Sequence, residues 1–528
     1  MDEQIADIVV IGGGSAGCVA AARLSDDPTL SVVLLEAGPR DNDPMIAIPA
    51  GYARIFVDGR YEPGFATQPE PHLDDREIGW PRGRVLGGSG SVNGLVYLRG
   101  SPHDYDRWAQ AGARGWSYAD VAPIFKGLEA WQGEPSEARG SDGPIEVREP
   151  RKLSAACQAF IDSAVKAGLP RFRDVNDGGP IEGVGPVQMN IAGRLRASPA
   201  RAFLKPLRHR PNLRVVTGAR ALRVVFEGKR AVAVETPRGV FRARKEIVIS
   251  AGAIETPQLL MLSGIGDAAH LAQHGIACVA HAPEVGRNLQ DHLIGKFIFR
   301  VKPCGTLNEL LASPLGWLKM GWDWLAHASG PLTVSAGEAT AFLKTSPDLE
   351  EPDAQLLFVN FATFKFAEGL LPVPSVMVNY GPCRSESRGH IELAGTDPYA
   401  RPVIRANYLA DARDMDTMVG AARFCRRIFE HAPFRDLLEE ELRPGKLGDD
   451  AIRESIAKTA STVYHPCGTA RMGSDERAVV DPELRVRGVE GLRVADASVF
   501  PLIPSSNIQP AALMVGARVA EFIKREVR

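Results

Sequence analysis

What the chain lacks narrows the field first. No run of about eighteen apolar residues occurs, so no membrane-spanning helix is expected. Lys and Arg number 62 against 64 Asp and Glu, and no block of like charge stands out. A broad nucleic-acid surface is therefore not expected. The seven cysteines (18, 157, 278, 304, 383, 425, 467) are odd in number, scattered and nowhere spaced C-x-x-C. That usage suits a reducing compartment better than a disulfide framework, and a cytoplasmic location is the expectation. Met1-Asp2-Glu3-Gln4 supplies no basic region ahead of an apolar run, so no secretory signal is read there. Internal repeats and low-complexity tracts are missing too. With 45% hydrophobic and 24% charged residues, the composition is that of an ordinary globular protein of about two to four modules.

What is present begins at once. Ile8-Val9-Val10-Ile11 reads as a buried strand, Gly12-Gly13-Gly14-Ser15-Ala16-Gly17 as a tight turn, and Ala20-Ala21-Ala22-Arg23-Leu24 as a helix. Gly12, Gly14 and Gly17 have G-x-G-x-x-G spacing, in which glycine closes the turn, admits a pyrophosphate and lets helix and strand pack closely. A helix N-terminus there offers free N–H groups to phosphates. Val32-Val33-Leu34-Leu35-Glu36 follows as a second strand, with Glu36 where an acid would bind a ribose hydroxyl. Strand, turn, helix and terminal acid together predict a dinucleotide site without saying which dinucleotide. Gly13-Gly14-Ser15-Ala16-Gly17 also spells G-x-S-x-G, a hydrolase nucleophile elbow. That elbow needs several strands ahead of it, and only eleven residues precede Gly12.

Further along, residues 40–80 read as an irregular excursion over the surface or over a ligand. Gly83–Gly94 holds five glycines in twelve residues, either a flexible loop or a loop pressed against a ligand. Residues 101–135 look helical and surface-like, and 154–168 form an amphipathic helix. Ser198-Pro199 starts another helix, with Ser198 as N-cap. Strands are expected at 213–217, 222–226, 231–235 and 246–250, the last running into a second glycine turn at Ala251-Gly252. They look like members of the opening sheet, with other material inserted between its strands. Leu310–Ala326, rich in tryptophan, reads as a helix using aromatics to pack, or as a lid or membrane-contact helix. Strands at 376–380, 390–393 and 403–405, with helix from Asp411 to Phe429, suggest a substrate module over 296–459. Leu492–Asp496 is a short strand, and Pro510 opens a final helix to about Arg525.

Catalytic candidates lie late in the chain. His465 stands before Pro466 in a loop with Gly468 and Gly473; it is either structural or a general base, since its ordinary pKa is near working pH. Asn507 is either a cap for the final helix or an amide donor to a substrate oxygen. His270 and His274 have metal-pair spacing, but the glutamate of H-E-x-x-H is missing and no metal is expected. Cys467 reads as a small buried filler rather than a reactive thiol.

Gly83–Gly94 resembles the first signature of the glucose–methanol–choline (GMC) flavin oxidoreductases, and Gly252–Gly266 resembles their second. His465-Pro466 and Ser506-Asn507 match the family's catalytic positions in order and spacing from the C-terminus, and the likeness runs from about residue 5 to 525. The resemblance, nearest to bacterial choline-dehydrogenase-like alcohol dehydrogenases, implies an α/β fold: a Rossmann-like FAD-binding domain with an interleaved α+β substrate domain, its antiparallel sheet flanked by helices. The implied division is FAD domain 1–160, 213–295 and 460–528, substrate domain 161–212 and 296–459. The implied cofactor is FAD. Its site would draw on Gly12, Gly14, Ser15, Ala16, Gly17, Glu36 and Ala37, then on Arg84, Val85, Gly87, Gly88 and Ser89. Asn93, Gly94, Leu95 and Val96 would follow, with Ala221, Ala251 and Gly252. Asp496, Ala497, Asn507, Ile508 and Gln509 would complete it.

The resemblance sets Val92 where some members carry a histidine that bonds FAD covalently, so a noncovalent cofactor is expected. Choline-type members often read N-x-N where this chain has Asn507-Ile508-Gln509, which weakens an assignment to choline. The resemblance implies that His465 removes the hydroxyl proton of an alcohol while hydride passes to flavin N5, with Asn507 orienting the oxygen. The final helix would turn its positive end toward the flavin N1–C2 region. A small-molecule alcohol is the expected substrate and oxygen or a quinone the electron acceptor. No nucleic-acid partner is expected; peripheral membrane contact and a monomer or homodimer remain open. Alternatives are a GMC-like FAD protein with non-oxidative chemistry, of cyanohydrin-lyase or photodecarboxylase type, or an NAD(P)-dependent reductase.

Overall fold

The computed structural model describes residues 3–365, 368–445 and 448–526. Strand Glu3–Ile11 pairs in parallel with Val32–Glu36 on one side and with Gly239–Ile249 on the other. Leu213–Thr217 extends the sheet beyond Val32–Glu36, again in parallel. A central parallel strand is covered on both faces, which is why Ile8, Val9, Val10 and Ile11 are all buried without alternation. Gly239–Ile249 does two things along its length. Its first residues pair antiparallel with Arg230–Thr236, which in turn pairs with Arg223–Glu227. Its last three pair in parallel with Leu492–Val494, so a strand from the far end of the chain joins the sheet begun by the first residues.

The second sheet is antiparallel. Leu438–Arg443, Leu293–Val301, Ser375–Pro382, Ala354–Val359, Ala339–Leu343 and Gly183–Pro186 follow one another across it, with Ser461–Thr462 paired to the start of Leu293–Val301. Side chains alternate between faces with period two. Phe297, Phe299, Val376, Val378, Leu356 and Phe358 share a core with Phe160 of helix Ala155–Lys166 and Met418 of helix Ala412–Phe429. Ile294, Lys296, Leu357, Met377 and Asn379, the alternate positions, face a cavity instead. The architecture is therefore the expected one, a Rossmann-like sheet with an interleaved α+β part.

Several local expectations need correction. Residues 101–135 form helices Pro102–Gln110 and Tyr118–Leu128 followed by strand Glu129–Trp131, and each helix buries one face, so the segment is surface-like only in part. Trp108 and Trp116 are fully buried, because their indole N–H groups find carbonyls at Leu502 and Pro482 (both 2.8 Å) while their rings pack near Phe500 and Phe522. Helix Pro314–His327 packs with only one of its three tryptophans: Trp324 donates its indole N–H to the Arg194 carbonyl (3.1 Å) beneath the Arg194 guanidinium, whereas Trp317 and Trp322 are 58% and 66% exposed. After Ser198 the chain makes a short π-helical stretch, Ala200–Leu204, and a 3-10 turn rather than a regular helix. His390–Glu392 and Val403–Arg405 pair with each other, outside the large antiparallel sheet. None of the helices described is long and apolar enough to cross a membrane.

Candidate active site

The cavity of about 400 Å³ lies between the two sheets and is lined from Glu36 at one end to Lys296 and Asn379 at the other. Its first wall is the opening turn. Gly12 has φ +95°, and a Cβ on it would sit 2.3 Å from the Ser250 carbonyl oxygen. A Cβ on Gly17 would sit 1.9 Å from the Gly12 carbonyl oxygen, so helix Ser15–Leu24 can start there only with glycine. The second glycine stretch folds onto the first: Gly87 donates its N–H to the Gly13 carbonyl (2.7 Å), and a Cβ on Gly88 would meet Gly14 Cα at 2.7 Å. The 83–94 segment is thus a packed turn, with Gly88, Gly90 and Ser91 buried. Glu36 ends the second strand with its carboxylate accepting from the N–H groups of Gly13 (2.8 Å) and Gly38 (2.7 Å). Burial nonetheless pushes its pKa up to about 7.

Three features test the fit of FAD. The first intrahelical bond after the turn is Cys18 N–H to the Gly14 carbonyl, which leaves the N–H groups of Ser15, Ala16 and Gly17 for an anion at the helix N-terminus. A Cβ on Gly252 would meet nothing within 4 Å, and one on Gly14 would meet only the Ser250 oxygen at 3.9 Å, so both glycines leave room on the cavity side. Gln509 Nε2 is buried in the wall with no partner among the described residues. A pyrophosphate and a polar heterocycle satisfy these donors; the residues fit the group.

Most of the residues implied for FAD line this cavity: Gly12, Gly14, Ser15, Ala16, Glu36 and Ala37 at the first turn, Arg84, Gly88, Ser89 and 93–96 on the second. Ala221, Ala251, Gly252, Asp496, Ala497 and 507–509 line it as well. Three do not. Gly17 is used for close packing against Gly12, Gly87 has φ +91° and turns the loop, and Val85 is fully buried beside Ile46 and Ile55. Asp496 acts on the frame: its carboxylate accepts from Gly252 N–H (2.8 Å), Thr256 Oγ1 (2.7 Å) and Ser498 N–H (2.8 Å). That ties the second glycine turn to the late strand. The residues 40–80 excursion contributes wall as well, through Tyr52, Phe56 and Tyr61.

At the other end, His465 and Asn507 meet across 42 residues of sequence. Asn507 Nδ2 lies 3.1 Å from His465 Nε2. His465 is fixed from three directions. Its backbone N–H donates to Asp291 Oδ1 (2.7 Å), and the neighbouring Cys467 and Gln290 exchange backbone bonds (3.0 Å each). Its Nδ1 lies 2.9 Å from Nδ1 of His292, a residue the sequence reading did not single out. His292 Nε2 faces the Cys383 carbonyl at 2.8 Å, and a carbonyl can only accept. Burial holds His292 down to about 4, so it is neutral and its proton is on Nε2. Its Nδ1 is then an acceptor, which makes His465 the Nδ1–H donor and leaves a lone pair on His465 Nε2. Burial, then His292 and Arg82, keep the His465 pKa well below its ordinary value. The Asn507 loop is anchored by buried Asp104, whose Oδ2 accepts from Ser505 N–H (2.8 Å) and Oγ (2.6 Å). Cys467 is buried, and His270 Nε2 accepts from the Leu393 N–H (3.2 Å).

The sequence matches GMC oxidoreductase family models over residues 6–294 and 385–516. This chain is a GMC oxidoreductase. Its cofactor is FAD, and it acts on CH–OH groups. Similar proteins include an uncharacterised GMC-type oxidoreductase of Mycobacterium tuberculosis, 43% identical over 99% of this chain and 100% of that one. An oxygen-dependent choline dehydrogenase of Brucella ovis is 41% identical over 98% of this chain and 95% of that one. Among solved structures, pyridoxine 4-oxidase from Mesorbium loti superposes with a TM-score of 0.88 at 31% identity, covering 98% of both chains. A formate oxidase superposes with a TM-score of 0.92 at 28% identity, covering 100% of this GMC oxidoreductase and 99% of that chain.

Proposed function

We propose that this GMC oxidoreductase oxidises an alcohol to an aldehyde or ketone, with His465 as general base and Asn507 as donor to the substrate oxygen. The observation that carries the reading is the lone pair on His465 Nε2, fixed by the two-histidine chain at the cavity wall, where it accepts from the Asn507 amide (3.1 Å) until a substrate hydroxyl comes between them. A histidine held neutral is unprotonated at Nε2, and the hydroxyl proton goes there. The Asn507 amide donates to the oxygen as negative charge grows on it. FAD, when bound, supplies the acceptor for the hydride that leaves the carbinol carbon, and the product carbonyl departs. Gln509, beside Asn507, offers a free amide N–H toward the cofactor. Val92 has no nucleophile to bond with, which favours a noncovalent cofactor.

His465→Ala is expected to retain FAD and to slow anaerobic flavin reduction by a primary alcohol by about 10²–10⁴-fold. Unchanged reduction in that variant would remove His465 from the chemistry. If no alcohol bleaches the wild-type flavin, the lyase or decarboxylase reading takes over.

A further inference from the structure

The antiparallel sheet carries a feature that FAD binding and proton removal leave unused. Lys296 and Asn379 are direct partners in the ladder between Leu293–Val301 and Ser375–Pro382, and Leu357 is the partner of Asn379 on the next strand. Directly opposed side chains share a face and lie about 4.5–5.5 Å apart at Cβ. All three line the cavity. The row is therefore a cation, an amide and an aliphatic wall, extended by Met377 and Phe361.

Among the described residues, neither polar group in this row has a partner. Among the described residues, Lys296 makes no ion pair or hydrogen bond, and the charge acting on it is a second cation, Arg443. Burial and Arg443 push the ammonium pKa down to about 8. Asn379 is 8% exposed, its Oδ1 is buried without a partner, and its Nδ2 makes no bond to a described residue. Glu62 also lines the cavity but lies beside Arg82, whose charge offsets it. A half-buried cation beside a buried amide, both without a partner among the described residues, leaves a site that an anionic ligand can complete.

We propose that the substrate is an alcohol bearing a carboxylate, held by the Lys296 ammonium and the Asn379 amide. This rests on the alcohol-oxidation reading above and names the substrate class for it. A carboxylate matches the donors better than a phosphate, whose third oxygen would face Leu357 and Met377 without a partner. A quaternary ammonium would face the Lys296 cation, so the choline named for the Brucella relative is disfavoured here. The spacing sets the shape. The pairing of Leu293 with Thr462 sets the segment that carries His465 beside the start of the strand, and Lys296 lies three residues further along, about 10 Å of extended chain. The hydroxyl and the carboxylate therefore belong at opposite ends of a linear chain of several carbons.

The test uses the FAD-loaded enzyme and two readouts. In anaerobic flavin reduction, ω-hydroxy acids from 3-hydroxypropanoate to 8-hydroxyoctanoate are compared with 1-alkanols of equal length and with choline. The longer hydroxy acids are expected to have kcat/KM about 10- to 100-fold above matched alkanols, the range for a charge-assisted hydrogen bond. Lys296→Met should remove that advantage through KM while leaving the alkanols within about twofold, and Lys296→Arg should restore part of it. The second readout needs no turnover. Hexanoate should perturb the bound-flavin spectrum at lower concentration than hexyltrimethylammonium, and Lys296→Met should reverse the order. A wild-type preference for choline, equal losses for neutral and anionic alcohols in Lys296→Met, or equal binding of the two probes would overturn the assignment. Reduction by alkanols without a carboxylate advantage overturns this inference alone, whereas failure of every alcohol overturns the oxidation reading and leaves hexanoate binding to judge Lys296.

Discussion

The two ends of the cavity are built by different means. The cofactor end is made of backbone: helix N-termini, close approaches at Gly12, Gly17 and Gly88 that no Cβ allows, and open space on the cavity side of Gly14 and Gly252. The substrate end is made of side chains on alternate positions of an antiparallel sheet, with Lys296, Asn379, Leu357 and Met377 projecting from a frame whose other face is core. Backbone recognition tolerates almost no substitution at its close contacts. Side-chain recognition tolerates nearly any residue that respects the cavity. The difference separates what identifies the family from what distinguishes its members.

The sharpest way to break this comparison lies at the boundary between the ends. His292 touches neither cofactor site nor sheet wall in the cavity, yet it fixes the tautomer of His465. His292→Ala should lower the rate of flavin reduction by about 10²-fold, the cost of misplacing a catalytic group by about an ångström, with FAD content unchanged. Loss of FAD instead would make His292 part of the frame. A smaller effect is expected at Gly14. Because a Cβ there meets no protein atom closer than 3.9 Å, Gly14→Ala should leave the apoprotein melting temperature nearly unchanged. The added methyl intrudes on the cofactor side, so FAD affinity should fall about 10-fold or more in a titration of apoprotein with FAD. Equal destabilisation of apoprotein and holoprotein would mean that the glycine serves the fold alone.

The smallest expected effect concerns pH. His292 and His465 are both held neutral by burial, with folded pKa values below the ordinary 6.5. On unfolding they take up protons at any pH below about 6.5, so the unfolded state binds more protons there. Their contribution to stability is complete above that pH and is lost as pH falls through it toward 4. Melting curves from pH 7.5 to 5 should show this decline, reduced in His292→Ala. In the same interval the rate of flavin reduction should not follow a pKa of 6.5, because the base stays unprotonated.

What could be read from the sequence follows the same division. The opening strand, turn and helix, the four strands between 213 and 250, and the helix from Asp411 are carried by local signals: apolar runs, glycine spacing and caps. His465 and Asn507 were readable because a family signature surrounds them. His292 was not, because a histidine entering a strand carries no local mark of the ring it will meet 173 residues later. Lys296 was unreadable for the same reason, since its meaning depends on ladder register with Asn379. Trp108, Trp116 and Asp104 were misjudged as surface-like because partners at Pro482, Leu502 and Ser505 lie hundreds of residues away. Trp317 and Trp322 of Pro314–His327 were misjudged in the opposite direction. Aromatic content alone does not say which side of a helix meets the protein.

The alternation along Leu293–Val301 has a consequence for how such an enzyme changes over time. Phe297 and Phe299 carry the load of the fold, while Ile294 and Lys296 carry none of it and are free to be rewritten. A lineage can therefore explore new diets one residue at a time, at alternate letters of a single strand. The foundation and the cofactor register nothing of the change.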